Sequence, residues 1–390
     1  MRYKSVLMLS LGLFGSMSTT FSYAEDEFVP EVLTVEPSIA PGPSIFVLDQ
    51  SWDGSSWVHI RSAEDLTSIK GSLSAGVVSQ FAMSKDGKSA YTASVYAKRI
   101  MSGPTEAVLE EFDAKSLAKK REIILSPKMA QSAPQLSYLE FSADGKYAYV
   151  QNATPATSVT VVDMEAGEVL TEIPHPGCIG IYPALKGNRF SSLCGDGTVT
   201  SYSFSADGKV NNPVKSAKVF DADDDPVYVH VLRVDNDLVL TSFNGNLYRV
   251  SDADEKPSLV DKFSYVEGVE GEWAPGGIAV MTYNKANNVV FMTMHSEAYN
   301  GSHKNGAEEI WTISLDSKKV VSRIPVDIED SGITSLAVTE GKEPTLFAHD
   351  SELGVVYRFT IDPKADFAAT LQEDIAEDVG HYDIVWIADK

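Results

Sequence analysis

One strand pattern recurs seven times along this chain. Each copy is a run rich in β-branched or aromatic residues that gives way to a turn opened by Asp or Ser. The copies are Ile45 to Asp49, Val108 to Asp113, Val159 to Asp163, Val199 to Ser205, Leu247 to Ser251, Ile310 to Asp316 and Val355 to Asp362. Their ends lie 64, 50, 42, 46, 65 and 46 residues apart, which is close to the length of one four-stranded blade. The two long intervals predict insertions, one around Tyr96 to Glu106 and one around Phe263 to Asn305. Insertions emerge on the faces of such a ring, where partners dock.

Local turn chemistry agrees with short antiparallel strands. Val159 to Val162 stops at Asp163, and the turn through Gly167 reverses the chain into Glu168 to Ile173, a strand-turn-strand signal. Ser84-Lys85-Asp86-Gly87 and Ser142-Ala143-Asp144-Gly145 each precede a strand with Tyr at alternate positions. Ser205-Ala206-Asp207-Gly208 repeats the chemistry at a different place in its unit. Such turns alone also suit a sandwich. Seven marks, with helical patterning only at Ala114 to Ile123 and Phe367 to Ile375, predict an all-β, seven-bladed β-propeller.

The first 24 residues read as a leader. Arg2 and Lys4 precede an apolar run, Val6 to Phe14, too short to span a bilayer, and Ser22-Tyr23-Ala24 supplies the small residues read by a signal peptidase. Cleavage there predicts a periplasmic protein, with a membrane anchor as the alternative. Residues 25–390 then form one propeller domain, opened by a Pro-spaced extension at about 25–43. Loss of Arg2 and Lys4 leaves 30 of the 32 basic residues against 55 acidic ones, a balance that repels nucleic acid and anionic lipid. The chain's two cysteines, Cys178 and Cys194, predict one disulfide in an oxidising compartment, closing a loop worth on the order of 3 kcal/mol. A reactive thiolate beside His175 is the competing reading.

Familiar catalytic patterns are missing. The sequence has no glycine-rich phosphate loop, no His pair at helical spacing, no haem attachment motif and no nucleophile elbow. Seven scattered histidines predict no metal site of their own. Asp221 to Asp225 offers hard oxygen ligands, but a solvated turn closed by Pro226 explains the cluster more simply. No catalytic residue is expected in this chain.

Four longer segments, taken in order, resemble one family. They are Gln151-Asn152-Ala153-Thr154-Pro155-Ala156-Thr157-Ser158 with Val162-Asp163; Cys178 and Cys194 with Gly195-Asp196-Gly197; Trp273-Ala274-Pro275-Gly276-Gly277; and Gly301-Ser302-His303-Lys304 with Glu309-Ile310-Trp311. Together they are similar to the heavy chain of the quinoprotein amine dehydrogenases, nearer the aromatic amine enzyme than the methylamine enzyme. The resemblance implies an assembly of two heavy chains with two small, disulfide-rich light chains. It places the tryptophan tryptophylquinone cofactor and the catalytic base on the light chain, so this chain binds no cofactor itself. Primary amines are oxidised to aldehydes and ammonia, and electrons pass to a blue copper protein of the azurin or amicyanin kind.

The same resemblance assigns this chain a docking surface and one wall of the substrate channel, at Val77, Val78, Ser79 and Gln80. Val77 stands where the family has Phe, which implies a wider channel mouth; a plain core strand is the other reading. Arg99 and Ile100 with Gly103 also match, Arg99 as a structural ion pair, while His303 and Lys304 order the second insertion. Two other classes stay open: a free-standing propeller that binds a ligand or protein without turnover, and a lactonase-like hydrolase with a ring of Glu, Asn and Asp about its axis.

Overall fold

A computed structural model describes residues 36–99, 102–381 and 383–388. The predicted leader at 1–24, residues 25–35 of the extension, and Ile100 lie outside the described residues. Ser44 to Asp383 and beyond fold into seven antiparallel sheets, each built of four strands except one of five, arranged as the blades of a propeller.

Six blades are local meanders, and the seventh closes the ring. Blade 1 takes its inner strand, Asp383–Ala388, from the far end of the chain. Ser44–Asp49, Ser56–Ser62 and Ile69–Ala75 follow outward. The closing contact is an antiparallel ladder running from Ser44↔Ala388 to Asp49↔Asp383. It removes the two sheet edges that an open array would expose.

This closure corrects the reading of the first repeat mark. In the other six blades the mark is the third strand, whereas Ile45 to Asp49 is the second. The third strand of blade 1 is Ser56–Ser62, so the long first interval is a shift of one strand and needs no large insertion. What the sequence shows as inserted residues around Tyr96 is a lengthened hairpin, Ser89–Ala97 against Thr105–Asp113, with nine residues in each strand. The second interval does contain an insertion. The inner side of blade 6 is split into Ala274–Pro275 and Met281–Asn284, and a long loop joins Val289–His295 to Glu309–Ser314.

Neither predicted helix forms. Leu117 turns with φ 56°, and Lys119–Ile124 becomes the outer strand of blade 2, where Lys119, Lys120 and Arg121 pair with Glu110 and Glu111 of its neighbour. Phe367, at φ 60°, likewise precedes the edge strand Ala368–Leu371. Outer strands bury one side only, and their charged faces mimic helical periodicity over so few residues.

The core is not one mass but seven layers, one between each pair of adjacent blades. Tyr91, Leu109, Leu139 and Val150 fill the layer between blades 2 and 3, and Phe46, Leu48, Phe81 and Phe112 the layer between blades 1 and 2. Ala337 and Phe347 meet Ile45 and Val385 between blades 7 and 1. Middle strands are therefore covered on both faces, which is why Ala148 to Val150 and Val289 to Met294 read as almost unbroken apolar runs. Cys178 and Cys194 sit directly opposite one another on the first two strands of blade 4 and are joined as a disulfide.

Two measurements test this account. Replacing both Cys178 and Cys194 by Ser should lower stability by about 3 kcal/mol, seen as a lower urea midpoint; an unchanged midpoint would mean the cross-link constrains nothing. The second concerns Asp383, wholly buried on the closing strand, where burial pushes its carboxyl up to about 6. An acid raised in the folded state favours folding while protonated, and that contribution is lost as pH rises through its folded pKa. Between pH 4 and 7.5 the wild type should therefore lose roughly 3 kcal/mol relative to Asp383→Asn, with parallel pH curves counting against the assignment.

Candidate functional site

Strands alternate in direction within each blade, so the loops joining second to third strands share one face with the connections entering each new blade. A cavity of about 1590 Å³ opens on that face. Its walls come from the Asp49 to Trp57 hairpin of blade 1, the approach to blade 3 at Ala133 and Gln135, and Pro226 to His230 in blade 5. Gly277, Ile278 and the Asn300 to Lys304 loop of blade 6 complete them with Thr334, Ser351 and Glu352 of blade 7 and His381.

The blade 6 wall explains two of the sequence motifs. Gly276 and Gly277 thread the chain between the insertion loop and blade 7: a Cβ on Gly276 would stand 2.4 Å from Asn305 O, and one on Gly277 2.5 Å from Thr334 O. Gly277 N–H donates to His303 O at 3.1 Å, and Ile278 N–H to Thr334 O at 2.7 Å. Behind them Trp273 packs on Trp311 with ring centres 5.3 Å apart, and the Arg323 guanidinium lies over both indoles. Glu309 accepts from Trp311 Nε1 and Arg323 Nε, each at 2.6 Å. The motif residues are thus one buttress for the insertion loop.

Another motif is also structural. Gln151 donates to Ser158 O, contacts His175 Nε2 at 3.0 Å and accepts from Gly180 N–H, tying blade 3 to blade 4 beside the disulfide. With both sulfurs bonded to each other, His175 has no thiolate to activate. In the acidic cluster, Asp221 caps its own turn by accepting from Asp223 and Asp224 N–H, and Asp225 accepts from Tyr248 and Asn246. Among the described residues no three His, Cys, Asp or Glu side chains are grouped to hold a metal ion. Arg99 turns onto its own hairpin, donating to Ser102 Oγ at 3.2 Å, with no ion pair among the described residues.

The segment Val77 to Gln80 lies one layer behind the cavity. Val77 packs against the core between blades 2 and 3, Val78 is 3% exposed within that core, and Ser79 and Gln80 are fully buried. Its backbone is irregular: the ladder slips between Val77 and Gln80, and Val78 has φ 48°, the left-handed region that a β-branched residue adopts only under constraint. The constraint comes from cavity-lining residues. Val78 N–H donates to Ser51 O at 2.8 Å, Gln50 Nε2 donates to Ser79 O at 2.9 Å, and Gln135 N–H donates to Gln80 Oε1 at 2.9 Å.

Charge is unevenly spread around the cavity. Asp49, Asp53 and Glu352 stand on blades 1 and 7, whereas His303 and Lys304 stand on blade 6. His230, on blade 5, accepts from Met281 N–H through Nδ1 at 3.3 Å, so its proton sits on Nε2. Burial holds the ring neutral by lowering its pKa to about 4. From Thr334, a line of contacts leads inward to His349 Nδ1 at 3.4 Å and from His349 Nε2 to Asp383 at 3.1 Å. Trp52 and Trp57 of blade 1 line the cavity and are exposed, and Tyr299 beside Asn300 and Leu353 beside Glu352 are exposed on loops next to lining residues. Sequence reading passed over the blade 1 hairpin. Its signal was the pair Trp52 and Trp57, two of only five tryptophans, flanking a polar glycine turn where no core strand needs them.

Comparison with known proteins assigns the chain to a family. The model of the methylamine dehydrogenase heavy chain family matches residues 46–373. The methylamine dehydrogenase heavy chain of Methylobacillus flagellatus is 24% identical over 332 residues, 84% of this chain and 82% of that one. Its counterpart from Methylophilus methylotrophus is 24% identical over 369 residues, 91% of this chain and 88% of that one. A solved Bacteroides fragilis structure assigned to the 6-phosphogluconolactonases superposes with a TM-score of 0.59 at 13% identity, covering 89% of this chain and 98% of that one. At such identity the likeness speaks for the fold alone. Six of the seven blades fall wholly within the matched span, and blade 1 does so but for its closing strand and the first two residues of its second; all four motif segments lie within it too, and the chain belongs to the methylamine dehydrogenase heavy chain family.

Proposed function

We propose that this chain is the heavy, cofactor-free subunit of a periplasmic amine dehydrogenase. The observation that carries the proposal is the family match across residues 46–373, on a fold with a cavity of about 1590 Å³ whose face exposes large apolar side chains. Trp52, Trp57, Tyr299 and Leu353 are 52%, 43%, 61% and 43% exposed on the same face, a surface suited to a partner chain. That partner is a small, disulfide-rich light chain, two of each chain forming the assembly. The tryptophan tryptophylquinone on the light chain supplies the two-electron oxidation by which a primary amine and water become an aldehyde and ammonia.

The contributions of this chain are shape, charge and exclusion of water. Its acidic wall favours a cationic amine over neutral solutes, and its surplus of acidic residues concentrates cations near the mouth. Covering the apolar rim would strip water from the cavity and strengthen each polar contact inside it. The neutral His230 offers a fixed N–H donor on the opposite wall. Electrons leave the complex to a blue copper protein of the azurin or amicyanin kind without residing on this chain.

Native purification provides the test. The chain should come with a small companion that absorbs in the visible, and added phenylethylamine or methylamine should bleach that absorbance while a dye acceptor is reduced. A lone, colourless chain inert to amines would instead indicate a binding module without turnover. The rim can be probed separately by Tyr299→Asp, which leaves the blades untouched. It should weaken capture of the companion roughly thirtyfold, as expected for removing a central aromatic contact worth about 2 kcal/mol, and unchanged capture would place the interface elsewhere.

A further inference from the structure

We propose that Asn300, in the insertion loop of blade 6, is a self-modifying residue whose side-chain amide is lost in the folded protein, changing the charge of the cavity wall. The chain contains three Asn-Gly pairs, Asn244-Gly245, Asn300-Gly301 and Asn305-Gly306. In such a pair the glycine backbone nitrogen can attack the Asn carboxamide carbon, because no Cβ on the second residue hinders the approach. A C–N bond forms, ammonia leaves, and the resulting succinimide ring is opened by water to aspartate or isoaspartate. Water is the only co-reactant, and no electrons are exchanged. The reaction needs a side chain free to swing and a peptide plane free to turn, so the fold decides which pair reacts.

The fold holds two of the pairs and leaves the third open. Asn244 Nδ2 donates to Asp224 O at 2.7 Å, and Gly245 N–H donates to Ser242 O at 3.2 Å while Gly245 O accepts from Tyr265 N–H at 3.0 Å. A Cβ on Gly245 would stand 2.5 Å from Val266. The Asn305-Gly306 peptide is wedged between other glycines. A Cβ on Gly306 would collide with Gly332 Cα, as one on Gly276 would with Asn305 O. Asn305 N–H also donates to Ser302 O at 2.9 Å, and Ala307 N–H to Ile333 O at 2.8 Å.

Asn300 and Gly301 are instead the two central residues of a surface turn. Ser302 N–H donates to Tyr299 O at 2.9 Å, and Tyr299 N–H donates to Ser302 Oγ at 3.1 Å, with Ser302 itself wholly buried. Gly301 at φ 109° and ψ −12° gives the turn its type II form, in which the Gly301 N–H takes no part in the closing bond. Both central residues are exposed, and nothing stands within 4 Å of a Cβ on Gly301. The ends of the turn are therefore anchored while its middle peptide has room to flip. The product matters because of where it forms. Asn300 lines the cavity on the same loop as Lys304, the single Lys or Arg among the lining residues, with Asp49, Asp53 and Glu352 on the walls of blades 1 and 7. One new carboxylate on this loop offsets the Lys304 charge and leaves the blade 6 wall without its positive sign.

This inference stands apart from the amine reading and is measured on the full-length chain alone. Folded protein and a guanidinium-unfolded sample are incubated side by side at mildly alkaline pH, until the unfolded chain has converted about half of its Asn-Gly pairs. Peptide mapping follows the mass gain of about 1 Da at each pair, and anion exchange follows the added negative charge. Each rate in the folded protein is divided by that of the same pair unfolded, which removes the effect of local sequence. The ratio should be about tenfold or more higher for Asn300 than for Asn244 and Asn305. Asn300→Gln should abolish the first acidic variant to appear without changing the melting temperature, because the longer side chain has to close a larger, less favourable ring. A ratio for Asn244 or Asn305 equal to that for Asn300, an intact Asn300 in the folded chain, or the same acidic variant in Asn300→Gln would overturn the site.

Discussion

The six-residue ladder between Ser44–Asp49 and Asp383–Ala388 is the contact on which the rest of this molecule depends. Every other blade is assembled from neighbours in sequence, so its strands pair after closing only short loops. Blade 1 must bring together residues more than three hundred positions apart, and the entropy of that closure is offset only once all seven blades are in place. The ladder also builds the cavity. Asp49 and Asp383 are opposite partners at its end, Ser335 Oγ donates to Asp383 O, and the hairpin leaving Asp49 carries Gln50, Trp52 and Trp57. Closing the ring and completing the acidic wall are thus a single event, and a chain that failed at the first would lack the second.

Layered burial explains how such a ring leaves its faces free to carry function. Each apolar layer lies between two blades and includes residues such as Val161, Leu240 or Phe347 from middle strands, none of which reaches a face. Stability is carried by these layers, where burial of one large side chain contributes about 1.5–3 kcal/mol. Loops on the cavity face are constrained only by their own contacts, as the Trp273, Trp311, Arg323 and Glu309 cluster shows for the blade 6 insertion. That division lets one propeller host unrelated functions, and it is why the fold likeness to a protein assigned to another activity says nothing about chemistry here.

Sequence periodicity revealed the blades because third strands share one environment: apolar toward both neighbouring blades and ending in a turn. It misplaced the first mark because nothing local distinguishes a second strand from a third when the inner strand arrives from the other end of the chain. The helical readings failed for a related reason. Lys119-Lys120-Arg121-Glu122 is spaced like an amphipathic helix, but its partners, Glu110 and Glu111, lie on the adjacent strand. Turn chemistry was more transparent. Ser84 to Gly87 and Ser142 to Gly145 both join inner to second strands, each with the Ser hydroxyl donating to the Asp two residues on, and Lys85 links the two turns through Ala143 O. Gln50 was invisible because its meaning comes from Ser79 and Ser132, 29 and 82 residues away.

Val77 shows how a position can touch a cavity without lining it. Its side chain faces the layer between blades 2 and 3, where Val78, Val95 and Leu139 are packed, so a larger residue there would press on that layer first. The layer has little room: Gly76, the preceding residue, could not carry a Cβ without reaching 2.6 Å from Val95 O. The displacement would be passed to the backbone of Val78 and Ser79, and both are tied by hydrogen bonds to Ser51 and Gln50. Volume at residue 77 is therefore coupled to the setting of the Gln50 amide.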